Sequence, residues 1–152
     1  MLKIKRLTGT PAFVLAALKT LFLYFDAPMI TVQADDRTLT GRFLMISIMN
    51  GRRLGGGFYV APQALPDDGM FDLTLAVQTT RLTILRLMAM YMRGTQLAHP
   101  SVSGMRARRI VVRAEGGLTS HADGEIYLTD GRYIELEMLP RQLQVVCEPE
   151  GI

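Results

Sequence analysis

Two carboxylates with one glycine between them, Asp123 and Glu125 in the run His121-Ala122-Asp123-Gly124-Glu125, are the residues of this sequence best suited to acid–base work. The glycine lets the chain bend and aim both side chains toward one cleft, where a carboxylate can take a proton from a hydroxyl. Asp-Gly in a strand-rich chain is also the ordinary material of a bulge or turn, and that reading stands beside the chemical one. A second cluster is Asn50 with Gly55-Gly56-Gly57. It lacks the Lys-Ser/Thr of a phosphate loop and does not open a helix, so a tight bend with close backbone approach is its better reading. The third cluster, Leu65-Pro66-Asp67-Asp68-Gly69-Met70, is a polar turn. It could offer oxygen ligands to a hard cation, although paired acidic residues on a turn are more often simply solvated.

Other polar groups carry less. His121 beside Asp123 could couple to the carboxylates, but a histidine near a strand end is more often structural, and His99 before Pro100 reads as loop. Neither looks like a metal ligand. Arg106, Arg108, Arg109 and Arg113 fall on one expected strand, with Arg108 facing away from Arg109, so they do not form a single patch. A solvated edge strand is favoured over attraction to anionic lipid. Met88, Met90 and Met92, with Leu85 and Leu87, suit core packing better than an acyl-chain groove.

The elements that must position these groups are mostly strands. Met29–Ala34 and Thr38–Met49 are rich in β-branched and large apolar residues, and Asp35-Asp36-Arg37 between them reads as a hairpin turn. A further strand is expected over Met70–Val77. Later strands are expected over Met105–Ala114, Leu118–Ala122, Ile126–Leu128, Tyr133–Met138 and Leu143–Cys147, with Glu115-Gly116-Gly117 and Thr129-Asp130-Gly131 as turns. Two helices are expected. Thr10 and Pro11 open an apolar one that stops at Asp26-Ala27-Pro28. The other runs from Thr80 to Arg93, with Leu82, Leu85, Leu87, Met88, Tyr91 and Met92 at helical spacing and Gly94 as a left-handed cap. The expected fold is mainly β (α+β), an antiparallel sandwich-like single domain over 1–152 with two attached helices.

At 152 residues the chain can bury a real core without disulfides, and Cys147, its only cysteine, permits none internally. Seventeen Lys and Arg against fourteen Asp and Glu are too mild a balance to indicate nucleic-acid binding. The longest apolar run, Pro11–Phe25, is interrupted by Lys19 and falls short of the roughly 20 residues of a membrane span. A cytoplasmic protein is expected, touching the inner membrane surface peripherally at most.

Taken in order, the three clusters and their flanks resemble the C-terminal half of the diacylglycerol kinase-like and sphingosine kinase-like lipid kinases. The matching pieces are Asn50 with Gly55-Gly56-Gly57, Ala61-Pro62-Gln63-Ala64, and Asp67-Asp68-Gly69-Met70-Phe71-Asp72-Leu73. Gly94, His99-Pro100, His121-Ala122-Asp123-Gly124-Glu125 and Leu139-Pro140 complete the series, which covers the chain from about Thr10 to Val146. The resemblance implies a two-domain enzyme that moves the γ-phosphoryl group of ATP to a lipid hydroxyl in the cleft between its domains. Glu125 would be the base, and Asp123 would orient the site or help hold the catalytic magnesium. Asn50, Gly55, Gly56 and Gly57 would line the substrate cleft. A structural Mg2+ would brace the turn through the Asp68 carboxylate and the main-chain carbonyls of Leu65 and Met70.

The family's Gly-Gly-Asp-Gly-Thr type signature for ATP phosphates does not occur in the sequence. ATP would therefore be bound by an N-terminal nucleotide domain that these residues do not include, and the chain alone should be inactive. Asp68, Asp123 and Glu125 are expected to converge near one cleft. Two rival readings remain: a non-catalytic lipid- or protein-binding sandwich module, and a structural domain whose carboxylates are only turns. The second gains if those residues point to different faces. Which lipid is the acceptor is open, and a homodimer could form through an uncovered domain interface.

Overall fold

The structure is a computed structural model and describes residues 27–55, 57–144 and 146. The helix expected over Pro11–Phe25, Gly56 and Cys147 lie outside the described residues. Among the rest, eight strands and one α-helix follow in the order β1 (Met29–Ala34), β2 (Arg37–Met49), β3 (Arg53–Leu54), β4 (Phe58–Tyr59), β5 (Phe71–Val77), α1 (Arg81–Arg93), β6 (Val102–Ala107), β7 (Arg109–Ala122) and β8 (Glu125–Glu137). A short 3-10 turn, Gln96–Ala98, joins α1 toward β6.

Six strands form one antiparallel sheet in the order β6-β5-β2-β1-β7-β8, and β2 folds it into two walls. Its first half pairs with β1 from Arg37 to Arg42, and its second half pairs with β5 from Phe43 to Met49. A register shift between Phe43 and Met45 marks the bend, as expected where a bulge increases local twist. At the other corner a single residue, Arg108, separates β6 from β7. Ile30, Val32, Ala34, Phe43, Leu73, Leu75, Ala107, Ile110 and Val112 fill the space between the walls. Alternation along β5 sends Leu73 and Leu75 inward and leaves Thr74 and Ala76 for the outer face.

On that outer face Phe58, Val60, Ala76, Leu87, Tyr91 and Val102 make a second core under α1. Thr80 caps the helix by accepting the Thr83 N–H at 3.2 Å, and Gly94 ends it in the left-handed region at φ 71°. Only Leu87 and Tyr91 of the expected apolar set are buried; Leu82, Leu85 and Met92 face outward.

The later strands differ from the sequence reading. Glu115-Gly116-Gly117 and Thr129-Asp130-Gly131 are not turns but irregular stretches inside the long strands β7 and β8. The connecting turn is Asp123-Gly124, with φ of 50° and 90°, the positive pair that a two-residue hairpin of primed type requires. Gly117 and Gly131 serve close approach instead: a Cβ on either would lie 1.6 Å from the side chain of Asp130 or Leu128, respectively. The single strand expected over Met105–Ala114 is split at Arg108, and β7 is flanked by β1 and β8, so its arginines are not on an edge. Leu143 and Gln144 are not in a strand, and the remainder of that expectation is partly outside the described residues.

Candidate functional site

Asp123 and Glu125 sit at the tip of the β7–β8 hairpin, where Ala122 pairs with Glu125. Both are exposed, and neither side chain has a hydrogen bond or ion pair among the described residues. β1 covers β7 only from Ile110 to Ala114, so the rest of the hairpin projects beyond the sheet. Most of that projecting arm is exposed or half-buried, and Ile126 and Tyr127 stand open to solvent near its tip. The arrangement presents two unengaged carboxylates to whatever approaches the tip.

Asp68 lies elsewhere. Its Oδ1 accepts the Met70 N–H at 2.9 Å, an Asx-type turn that holds the chain as it enters β5. Its Oδ2 accepts from the Arg106 guanidinium. Arg106 pairs opposite Asp72 in the β5–β6 ladder, and its Nε is 3.6 Å from Asp72 Oδ1. Asp72 is 7% exposed, and its Oδ2 has no hydrogen-bond partner among the described residues. Burial pushes the Asp72 carboxyl above its ordinary value; Arg106 pulls it down and the neighbouring Asp68 charge pushes it further up. A cleft of about 370 Å³ opens beside this cluster, lined by Pro62, Gln63, Asp72, Thr74, Gly104 and Arg106 among others.

The donors expected of the turn, the Asp68 carboxylate and the Leu65 and Met70 carbonyls, are the hard oxygens a Mg2+ takes, but here the Asp68 oxygens accept from the Met70 N–H and from Arg106, and the Leu65 carbonyl accepts the Asp68 N–H at 3.5 Å. The unpartnered Asp72 oxygen nearby is a further acceptor in the same acidic surroundings. Among the described residues no three His, Cys, Asp or Glu side chains converge as a metal cage, so water would have to supply the other ligands.

The structure does not bring the two groups together. Asp68 is held by Arg106, two residues before the Arg108 corner, whereas Glu125 lies at the far end of the hairpin from Arg109. At about 3.3 Å per residue, the hairpin spans about 40 Å between the Arg109–Glu137 and Ala122–Glu125 pairs. Among the described residues no hydrogen bond or ion pair joins Asp68 to Asp123 or Glu125, and the cleft beside Asp72 is lined by neither, so the expected convergence is not seen within this chain. Asn50 follows Met49, which pairs with Asp72, so it belongs to the Asp68 end. Gly55 and Gly57 close the β3–β4 hairpin, with the Gly57 N–H donating to the Gly55 carbonyl at 3.0 Å.

Asp72 and Arg106 were given no role by the sequence reading. A signal was present, since Asp72 interrupts the apolar strand Phe71–Val77 and an isolated carboxylate there calls for a cation opposite.

A bent antiparallel sheet with a helix on its outer wall, ending in a long carboxylate-tipped hairpin, defines a β-sandwich-like domain. Residues 2–147 match the family model described as the YegS C-terminal NAD kinase beta sandwich-like domain, and the chain belongs to that family. Among curated relatives it is 29% identical over 144 residues to "Probable lipid kinase YegS-like" of Stenotrophomonas maltophilia, covering 93% of this chain and 45% of the relative. It is 31% identical over 102 residues to "Diacylglycerol kinase" of Mycobacterium tuberculosis, covering 67% of this chain and 32% of that protein. The chain thus spans less than half the length of these relatives. The crystal structure of a diacylglycerol kinase from Bacillus anthracis shares the fold, with a TM-score of 0.65 at 18% identity over 87% of this chain and 44% of that one.

Proposed function

We propose that the chain is the acceptor-side domain of an ATP-dependent lipid kinase that phosphorylates a lipid hydroxyl such as that of diacylglycerol. The observation that carries this reading is the Asp123-Gly124 turn, which leaves Asp123 and Glu125 exposed and unengaged at the end of a projecting hairpin. These carboxylates are free to meet a second domain that supplies ATP.

In that setting Glu125 takes the proton from the acceptor hydroxyl as its oxygen attacks the γ-phosphorus, and ADP leaves with the bridging oxygen. Asp123, just before the glycine, would orient the site or help hold the catalytic magnesium, whose charge would offset that of the phosphates. A structural Mg2+ would be held by Asp68 with the carbonyls of Leu65 and Met70, where it would neutralise charge and stiffen the turn. That site is remote from Glu125 within this chain and braces rather than reacts. Asn50, which shares the Asp68 end, and the glycine loop would line the surface facing the nucleotide domain.

The test is Glu125→Gln in a protein carrying both domains. A fall in kcat of about 10²-fold or more with ATP affinity unchanged is expected; retained lipid phosphorylation would remove Glu125 as the base. The lack of contact between Asp68 and Glu125 favours one other reading, a structural domain whose carboxylates are only turns, and that reading takes over if the two-domain protein has no kinase activity.

A further inference from the structure

The helix α1 carries two apolar stripes, and the second core uses one of them. Leu87 and Tyr91 point into the domain. On the opposite side Leu82 is 78% exposed, Met92 48% and Leu85 38%, with exposed Ala89 between them. At 100° per residue these four fall within a quarter of the helix circumference. Arg86 and Arg93 flank the stripe along one side and Arg81 along the other, and all three are exposed. Leu82, Leu85 and Met92 thus form an apolar strip along an exposed helix face, the kind of surface that can meet a partner.

The charge around this stripe selects its partner. From Leu73 to Thr95, the helix and its flanks, the sequence has three arginines, Arg81, Arg86 and Arg93, and no aspartate or glutamate. A protein surface of mixed charge would be poorly matched to such a run, whereas an anionic bilayer offers negative charge at the depth of the arginines and hydrocarbon at the depth of the leucines. We propose that α1 docks this outward face on an anionic lipid surface, with Leu82, Leu85 and Met92 entering the headgroup–acyl boundary and Arg86 and Arg93 contacting lipid phosphates. The inference rests on the lipid-kinase reading, which gives a bilayer as the place where the acceptor is found. It differs from the sequence expectation, which assigned any membrane contact to the arginines near β7 and the methionines of α1 to the core.

The test uses the whole chain with vesicles of phosphatidylglycerol and phosphatidylcholine, compared with phosphatidylcholine alone. Cosedimentation with the anionic vesicles is expected, weakened by salt. Leu82→Ser, Leu85→Ser and Met92→Ser together should weaken it at least tenfold, and Arg86→Gln and Arg93→Gln roughly fivefold each. All five positions are exposed, so far-UV circular dichroism should be unchanged. Arg108→Gln with Arg113→Gln, away from α1, should leave binding within about twofold. The chain contains no tryptophan, so Leu85→Trp adds a single reporter whose emission should shift to the blue on anionic vesicles only. The apolar run from Pro11 to Phe25 is the same in every variant, and only differences between variants count.

Absence of vesicle binding overturns the proposal, as does equal binding to neutral vesicles or equal loss in the Arg108/Arg113 variant. A triple serine variant that turns a dimer into a monomer without changing vesicle binding assigns the stripe to a second copy of the chain and overturns it too. None of these results touches the Glu125→Gln test, so the kinase reading stands or falls separately.

Discussion

Asp35 and Arg109, far apart in sequence, hold each other by both their backbones and a side chain. The Asp35 N–H donates to the Arg109 carbonyl at 2.9 Å, and the Asp35 carboxylate accepts the Arg109 N–H at 2.9 Å and the Arg108 N–H at 3.1 Å. The tight turn after β1, with Asp35 at φ 48°, thereby fastens the corner where the chain passes from β6 to β7. These N–H bonds hold the Asp35 carboxyl below its ordinary value.

A depressed folded value means that the stabilisation is complete above the unfolded value of about 3.9 and is lost as pH falls through the folded one. Asp35→Asn keeps one acceptor but turns an amide donor toward a backbone donor. Its unfolding midpoint should lie below wild type at pH 6, and the gap should close as the pH is lowered below about 4. Thermal melts of both proteins across that range check the sign as well as the size; a gap that persists at low pH would mean the carboxylate's charge is not what matters.

Tyr91 offers an unusual substitution. Its hydroxyl is buried without a hydrogen-bond partner among the described residues, and burial pushes it up to about 12. Removing an unsatisfied buried hydroxyl while keeping the ring should be neutral or stabilising by up to about 1 kcal/mol. Urea denaturation of Tyr91→Phe measures it, and a loss above that amount would reveal a partner for the hydroxyl.

Gly94 ends α1 at φ 71°, and a Cβ there would come within 3.3 Å of the Tyr59 side chain and 3.4 Å of Pro62. Gly94→Ala should therefore cost more than the roughly 1 kcal/mol expected for losing the helix cap in Thr80→Ala. Equal losses would mean that the loop bearing Tyr59 and Pro62 yields freely.

Leu75 is fully buried between the two walls. Leu75→Ala should lower stability by about 2–5 kcal/mol, according to how far the walls collapse onto the space. Chemical denaturation gives the number directly.

Magnesium should raise the unfolding midpoint of the wild-type chain and not that of Asp68→Asn. A cation at ten times its dissociation constant adds about 1.4 kcal/mol, a shift of a few degrees for a domain of this size. Equal shifts in both proteins would place the ion elsewhere.

Local chemistry explains what could be read from the sequence. β1 and the helix from Arg81 to Arg93 were legible because alternation, the Thr80 cap and the Gly94 stop all point the same way. The β7–β8 hairpin was misjudged because Gly116-Gly117 and Asp130-Gly131 carry turn composition while serving strand approach, and the true turn lay inside the segment read as catalytic. The Arg108 corner left no mark, since one residue suffices to change walls. Nor could spacing alone show that Asp68 belongs with Arg106 and Asp72 rather than with Glu125, because which ends of two strands lie together is decided by the fold of the sheet.

The strand β2 belongs to both walls, giving its first six residues to β1 and the rest to β5. Neither wall can open while leaving the other intact, because the same backbone would have to be released from one ladder and retained in the next. Unfolding is then a single cooperative event, and amides of the Asp68 end and of β1 should exchange with solvent at one common rate set by global opening. The projecting part of β7 and β8 stands outside that unit. Its amides can exchange by fraying alone, so the segment that bears Asp123 and Glu125 is held by nothing beyond its own β7–β8 ladder.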